Sequence, residues 1–297
     1  EAVKWWTLAA EQGLAKAQYS LGNRYSNGQG VPQDYKEAVK WWTLAAEQGL
    51  AKAQFSLGNR YHDGQGVPQD YKETVKWYRL AAEQGLAKAQ YTLGAMYDDG
   101  KGVPQDDKEA VKWWTLAAEQ GDDNAQISLA AAYFFGLGVK KNYKKATELY
   151  RSSAEEGNPV SQWFLGMCYR DGFGIEQNKK IGWEWIHRAA DNGYEAAQHS
   201  LSFFYEDLAL QKINIENNLR ESAKWCLMAA EQGYPEAQQG ISEKYRLGTG
   251  VKKNIRLAKK WAKKSAKQGH AGGQRQLGFL LINSDPDQSF DLFKKSS

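Results

Sequence analysis

Histidine, cysteine and closely paired carboxylates are the side chains that hold metals, attack carbonyls or carry protons. This 297-residue chain places them poorly for all three tasks. His62, His187, His199 and His270 are scattered along the chain, and no HExxH or CxxC string occurs. There is no Walker A string and no nucleophile elbow. Gly-x-Gly strings such as Gly64-Gln65-Gly66 run into proline or polar residues rather than opening a helix after a strand, so they are not dinucleotide fingerprints. Carboxylates are plentiful, but they recur at a fixed interval, as helix caps and surface charges do. The expectation is a chain with no catalytic residues, no metal ligand set and no cofactor. Cys168 and Cys226 occupy different positions of the repeat described next; they read as thiols filling small apolar sites, and they leave the compartment open.

The interval is 36 residues. Near-copies of one string begin at Glu1, Glu37, Glu73, Glu109, Lys145, Ile181, Glu221 and Leu257, with a single step of 40 between Ile181 and Glu221. A period of this size is the mark of stacked helix pairs, each burying its apolar face on its neighbours. In the second copy Asp34 precedes a helix with Glu37 at N3, and Asp70, Asp106, Asn142, Asn178, Asn218 and Asn254 hold the same slot; all are good N-caps. Ala38, Trp41, Trp42, Ala45 and Ala46 make one buried face, and Gly49 ends the helix in the left-handed region. A second helix follows, with Ala53, Leu57 and Tyr61 on its core stripe. Gly58 weakens that helix by ~1 kcal/mol relative to alanine, which a close helix crossing would offset. Gly64 and Gly66 permit the loop that leads to the cap Asp70. Gln54 recurs in every copy and reads as a repeated hydrogen bond to loop or neighbouring backbone, with a ladder that reads a ligand as the rival. Each Trp pair, such as Trp41 and Trp42, reads as one buried ring and one at the edge; a sugar-stacking platform is the alternative. The fold class expected is all-α, an α/α solenoid of about eight 36-residue pairs forming one elongated domain over 1–297. Residues 206–218 form an irregular insertion, either a loop or a helix extension, and 282–297 form a C-terminal cap with a short helix over 287–295.

The string Ala53-Gln54-x-x-Leu57-Gly58-x-x-Tyr61-x-x-Gly64-x-Gly66-Val67-x-x-Asp70, then Lys72, Trp77 and Ala81-Ala82-Glu83-x-Gly85, resembles the Sel-one-like repeat (SLR), a subclass of tetratricopeptide-like solenoids. Almost the whole chain carries it. The resemblance implies a right-handed superhelix with the AQxxLGxxY helix on its concave side, and a binding or adaptor role without catalysis. It also implies bacterial envelope, host-contact or signalling settings.

A helical wheel centred on Leu57 turns the slots of Lys52, Phe55, Asn59 and His62 away from the core. Slot 55 reads Tyr19, Phe55, Tyr91, Ile127 and Trp163 before turning polar at His199, Gln239 and Arg275, and Phe134, Met167 and Phe203 stand nearby. Aromatic residues and Met are enriched where proteins bind proteins. Tyr91, Ile127, Phe134, Trp163, Met167 and Phe203 are therefore the candidates for gripping a protein or peptide partner. The rival is that slot 55 packs between adjacent pairs, in which case its rings should be mostly buried. An inhibitor or immunity-type role, and a glycan-binding one, are the alternatives to a scaffold.

Residues 1–180 balance in charge, 181–220 carry −3 and 221–297 carry +7. The basic end runs from Lys252 to Arg275 and reads either as a polar end face or as a contact for an acidic partner. Lysine without interleaved aromatics is poor support for nucleic acid, so none is expected as a partner. No apolar run is long enough for stable membrane insertion. A monomer is expected. No signal peptide is visible and the chain opens on Glu1 within a copy, so the compartment is unknown, with a periplasmic or secreted setting placed ahead of a cytoplasmic one.

Overall fold

The computed structural model describes residues 2–282 and 285–296, and the expected repeat start at Glu1 and positions 283, 284 and 297 of the C-terminal cap lie outside them. Every element among the described residues is a helix. In chain order they are α1 (Ala2–Glu11), α2 (Ala15–Asn27), α3 (Tyr35–Glu47), α4 (Ala51–Asp63), α5 (Tyr71–Glu83), α6 (Ala87–Asp99), α7 (Asp107–Glu119), α8 (Asp123–Phe135) and α9 (Tyr143–Glu155), followed by α10 (Pro159–Asp171), α11 (Lys179–Asp191), α12 (Glu195–Leu210), α13 (Ile215–Glu231), α14 (Pro235–Leu247), α15 (Ile255–Lys267), α16 (Ala271–Leu281) and α17 (Pro286–Ser296). Two compact units divide the chain, Glu1–Leu149 and Tyr150–Ser297. Within each unit consecutive helices pack against each other, α1 to α8 and α10 to α17, so the fold is an α-solenoid. No helix among the described residues is long and apolar enough to cross a membrane.

The local chemistry sets the boundaries. Asp34 Oδ1 accepts from the backbone N–H groups of Lys36 and Glu37 at 2.9 and 3.1 Å, and Asp70 and Asp106 do the same for α5 and α7. Glu37 does not complete a capping box: the Asp34 N–H donates instead to the Tyr25 carbonyl at 2.9 Å, pinning the loop to α2. The same bond runs from Asp70 to Tyr61 and from Asp106 to Tyr97, which gives the half-buried Tyr61 a backbone role beside its ring packing. Gly49 takes φ +88° and closes α3. Gly64 caps α4 at φ +67° and Gly66 follows at φ +80°, where its lack of a side chain lets the loop lie on the Tyr35 carbonyl. Gly58 sits at a close crossing as expected: a Cβ there would stand 2.6 Å from the Tyr78 ring.

Gln54 is buried and donates to the Ala46 carbonyl at 3.1 Å, while its own oxygen accepts from Gln84 of the next pair at 2.7 Å. Gln18 and Gln90 repeat both bonds, and Gln162, Gln198 and Gln238 do so in the second unit. In these copies the glutamine is thus structural, and it ties its pair to the next through side-chain amides as well as to backbone, whereas Gln126 Oε1 is buried without a partner.

Two expectations need correction, and the alternative left open for 206–218 is decided. In repeats three and four both rings of the pair are buried, Trp77 with Tyr78 and Trp113 with Trp114. The first ring of each pair packs backward: Trp77 lies on Ala53 and Leu57, Trp113 on Ala89 and Leu93, Trp225 on Ala197 and Leu201, and Trp261 on Ala237 and Ile241. Trp5, at 71% exposure, is the outlier. Asn218 does not cap a helix. It lies buried inside α13 and donates to the Ile213 carbonyl at 2.7 Å, while Asn214 stands at the N-cap in the left-handed region. Finally, the insertion at 206–218 is a helix extension. The helix α12 has 16 residues and α13 has 17, where the regular repeats have 13, and only 211–214 connect them. The loop glycines are absent there, so nothing ends α12 at the usual place. At the C-terminus α17 packs on α16: Ser289 Oγ donates to the Gly278 carbonyl at 3.0 Å and the Phe293 ring meets that of Phe279.

Candidate functional site

A cleft of about 350 Å³ opens in the second unit between α12 and α14, with His270 ahead of α16 at its margin. Its walls are built from the slots that the helical wheel turned outward. Glu236 holds the Lys52 slot, His199 and Gln239 the Phe55 slot, Phe203 and Glu243 the Asn59 slot, and Glu206 the His62 slot.

The cleft exists because a large side chain is missing. In the first unit the second residue of the Trp pair fills the crossing with the preceding second helix: Trp42 covers Gly22, Tyr78 covers Gly58 and Trp114 covers Gly94. In repeat seven that residue is Cys226. Ser202 and Ser222 then take the two sides of the crossing, their hydroxyls 3.2 Å apart, with Ser222 Oγ donating to the Ser202 carbonyl at 2.7 Å. Lys244, only 6% exposed, reaches into the freed space and donates from Nζ to Ser222 Oγ at 2.8 Å, with Glu206 3.4 Å away. A buried ammonium demands such partners. The Arg60 guanidinium at the equivalent slot lies over the Tyr35 and Trp42 rings instead.

The electrostatics follow from burial. Burial pushes the Cys226 thiol up to about 11, with Lys244 opposing, so it stays protonated at neutral pH. Burial pushes His199 below the ordinary histidine value, helped by Lys244 and His270 and opposed by Glu236. Glu243 is held below the usual carboxylate range chiefly by its hydrogen bonds with Arg246, and it also accepts from Gln276 at 2.6 Å. Glu236 differs: its Oε2 is shielded from solvent and has no hydrogen-bond partner.

Phe203 is the apolar feature of this face. It is 58% exposed, its ring 4.8 Å from that of His199, which in turn lies 5.3 Å from Tyr234. It also walls a shallower depression of about 640 Å³ shared with Arg170, Lys179 and Trp183.

The other candidates fall differently. Slot 55 serves largely as a seam between pairs. Phe55 stacks on Tyr78 at 5.4 Å, and half-buried Tyr91 packs on the cluster of Val111 and Trp114. Half-buried Trp163 packs on the cluster of Ile186 and Leu201, donates its indole N–H to Ser200 Oγ at 3.1 Å, and meets the rings of Phe164 and Tyr194 edge-on. Ile127 and Met167 are half-buried as well. Phe134 is buried, edge-on to Phe135 and Tyr143, so the exposed ring of that pair is Phe135 at 53%. Sequence reasoning missed Glu236, Lys244 and His199. A signal was present in the Arg60 slot, where a lone lysine follows Met96, Ala132, Cys168 and Phe204.

The family model that matches is the Sel1 repeat, over 1–14, 15–50, 51–86, 87–122, 123–158, 159–194, 196–234 and 235–270. The chain belongs to the Sel1 repeat family. In the family's frame a unit starts on the AQxxLG helix, so α2 is grouped with α3 and α4 with α5. Among solved structures, a protective antigen present in uropathogenic Escherichia coli strains, displaying an SLR fold, is 37% identical over 99% of this chain with a TM-score of 0.75; the chain spans 63% of that antigen. A Sel1 repeat protein from Oxalobacter formigenes is 33% identical over 94% of this chain and 79% of its own, with a TM-score of 0.77. Yeast Tom70, 15% identical over 89% of this chain and 56% of its own at a TM-score of 0.52, shares the fold. A comparison with curated proteins returned no match. Sel1 and tetratricopeptide-like repeat proteins typically mediate protein–protein interaction, and their fold is generally a non-enzymatic scaffold.

Proposed function

We propose that this Sel1 repeat protein is a non-enzymatic scaffold that grips a segment of a protein partner on the second-helix face of repeats six to eight. The observation that supports this reading is Phe203, a ring left exposed above a cleft whose inner carboxylate oxygen, Glu236 Oε2, has no partner. A buried acceptor without a donor carries a desolvation penalty that a binding partner can relieve. An apolar side chain on Phe203 and a donor-bearing one reaching Glu236 make a compact anchor of the kind that dominates binding energy. Tyr91, Ile127, Trp163 and Met167 belong to this proposal as half-buried walls of the second-helix face in their own units. Phe134 does not present its ring.

An affinity pull-down from the native organism, comparing wild type with Phe203→Ala, tests the placement. Loss of one partner band in the variant is the expected result, and equal recovery by both proteins rejects it. Adaptor and inhibitor-type roles share this chemistry and differ in the partner identified. The likeness to a protective antigen supports a second reading, in which that partner is met at host contact. Antibody labelling of intact cells tests that setting, and no surface signal removes it.

A further inference from the structure

The inserted turn carries an observation that the cleft does not use. It exposes three aliphatic side chains in a row: Leu210 at 78%, Ile213 at 48% and Ile215 at 50%. The equivalent loops of the first unit are polar and glycine-rich. Lys212 and Asn214 alternate with these residues and adopt φ +63° and +37°, a left-handed backbone that side chains rarely take. The turn therefore holds its apolar groups outward at a conformational cost, with no core to repay it.

The neighbouring loop, 248–254, lies against the same place. Gly248, Gly250, Val251 and Lys252 line one depression together with Glu216, Leu219 and Arg220 of α13. The ends of that loop are also aliphatic and exposed, Leu247 at 55% and Ile255 at 42%. Between and beside these aliphatics stand Lys212, Arg220, Lys252, Lys253 and Arg256. Glu216 pairs with Arg220 and Asp207 keeps its charge while accepting from Gln211, so Lys212, Lys252, Lys253 and Arg256 outnumber the one unpaired carboxylate. The edge is thus aliphatic and cationic.

We propose that this edge of the second unit docks reversibly on an anionic lipid surface. The leucine and isoleucine side chains enter the headgroup boundary, and the lysines lie over lipid phosphates. Single aliphatic side chains projecting from two adjacent turns suit a soft surface, whereas a protein partner is usually met by Trp, Tyr or Arg anchors seated in pockets. Lysines around them supply the attraction to anionic headgroups, which fades with salt. The surface adjoins the Phe203 cleft through Leu247 and Thr249, but Leu210, Ile213 and Ile215 lie outside that cleft's lining, and the proposal does not rest on the scaffold reading.

Sedimentation of the full chain with vesicles tests it. The protein should pellet with vesicles of phosphatidylglycerol and phosphatidylcholine but not with phosphatidylcholine alone, and raising the salt should release it. Leu210→Ser with Ile213→Ser keeps the charge and removes the inserting groups; binding should fall about tenfold or more. Lys252→Gln with Lys253→Gln should also weaken it, and Phe203→Ala should leave it unchanged. All the substituted residues are exposed, so thermal melts of the variants should match wild type. The proposal is overturned by failure to pellet, or by undiminished binding of the Leu210/Ile213 variant. Equally tight capture by polyglutamate with the same dependence on Leu210 and Ile213 would also overturn it, because the occupant would then be an acidic protein segment.

Discussion

The crossing of α4 with α5 and that of α12 with α13 occupy the same place in the repeat and solve it in opposite ways. At the first, Gly58 makes room for the Tyr78 ring, and Asn59 Oδ1 accepts the phenol hydrogen bond at 2.7 Å. Trp42 is held likewise by Asn23 at 3.1 Å. At the second, Cys226 replaces the ring, Ser202 and Ser222 stand at the slots of Gly58 and Thr74, and a buried lysine completes the network. The ring closes the face of the first crossing, and its absence opens a cleft at the second. A large-to-small change in a repeat can therefore open a site; here it accompanies the longer α12 and α13, while Gln198 still donates to the Ala190 carbonyl and accepts from Gln232.

The contrast can be tested from its strongest element downward. Gly94→Val should destabilise by about 3 kcal/mol, because the new Cβ would stand 2.5 Å from Nε1 of the Trp114 ring in a filled crossing. Urea unfolding reads this, and a loss below about 1 kcal/mol would mean the crossing is loose. Lys244→Met should lower stability by about 2 kcal/mol, since Glu206 loses its partner and Ser222 Oγ keeps only Ser202 inside the second crossing. Gln54→Ala should cost about 1 kcal/mol by removing the two bonds that join the pairs, while the Ala46 carbonyl keeps the Gly49 N–H and the Gln84 amide keeps the Leu80 carbonyl.

A gain is expected at repeat three. Trp114 Nε1 is buried without a partner, and Ala95 stands at the slot where Asn23 and Asn59 supply an acceptor. Ala95→Asn should stabilise the chain by about 0.5–1 kcal/mol, the hydrogen bond exceeding the lost helix propensity. A decrease in midpoint would show that the asparagine cannot reach the indole. The smallest effect concerns pH. Burial holds both His187 and His199 below the ordinary histidine value; the charges of Asp191 and Glu221 oppose this at His187, and that of Glu236 opposes it at His199. The unfolded chain then binds protons more readily than the folded one, so stability should fall as pH drops through about 6.5. Melts from about pH 7.5 to 5.5 should show that slope, and His187→Gln with His199→Gln should flatten it.

Much of the fold was legible because its signals are local. Asp34, Asp70 and Asp106 act on N–H groups two and three residues ahead, and Gly49 and Gly64 act on the turn that contains them. The period multiplied those signals, and the wheel around Leu57 named the slots that line the cleft. The wheel misjudged which copies stay open. Tyr91 and Trp163 looked free by angle, yet the next pair covers one side of each ring.

By itself, the sequence determined an all-α chain of helix pairs, the glycine at the close crossings of Gly22, Gly58 and Gly94, and the recurring glutamine. Tertiary structure decided where each aromatic ring went, that the insertion lengthens two helices, and that Lys244 is buried beside an exposed Phe203. Caps and turns are settled by a few neighbouring residues. Ring placement and cleft volume depend on the size of side chains facing from helices 19 to 37 residues away, which no short string reveals.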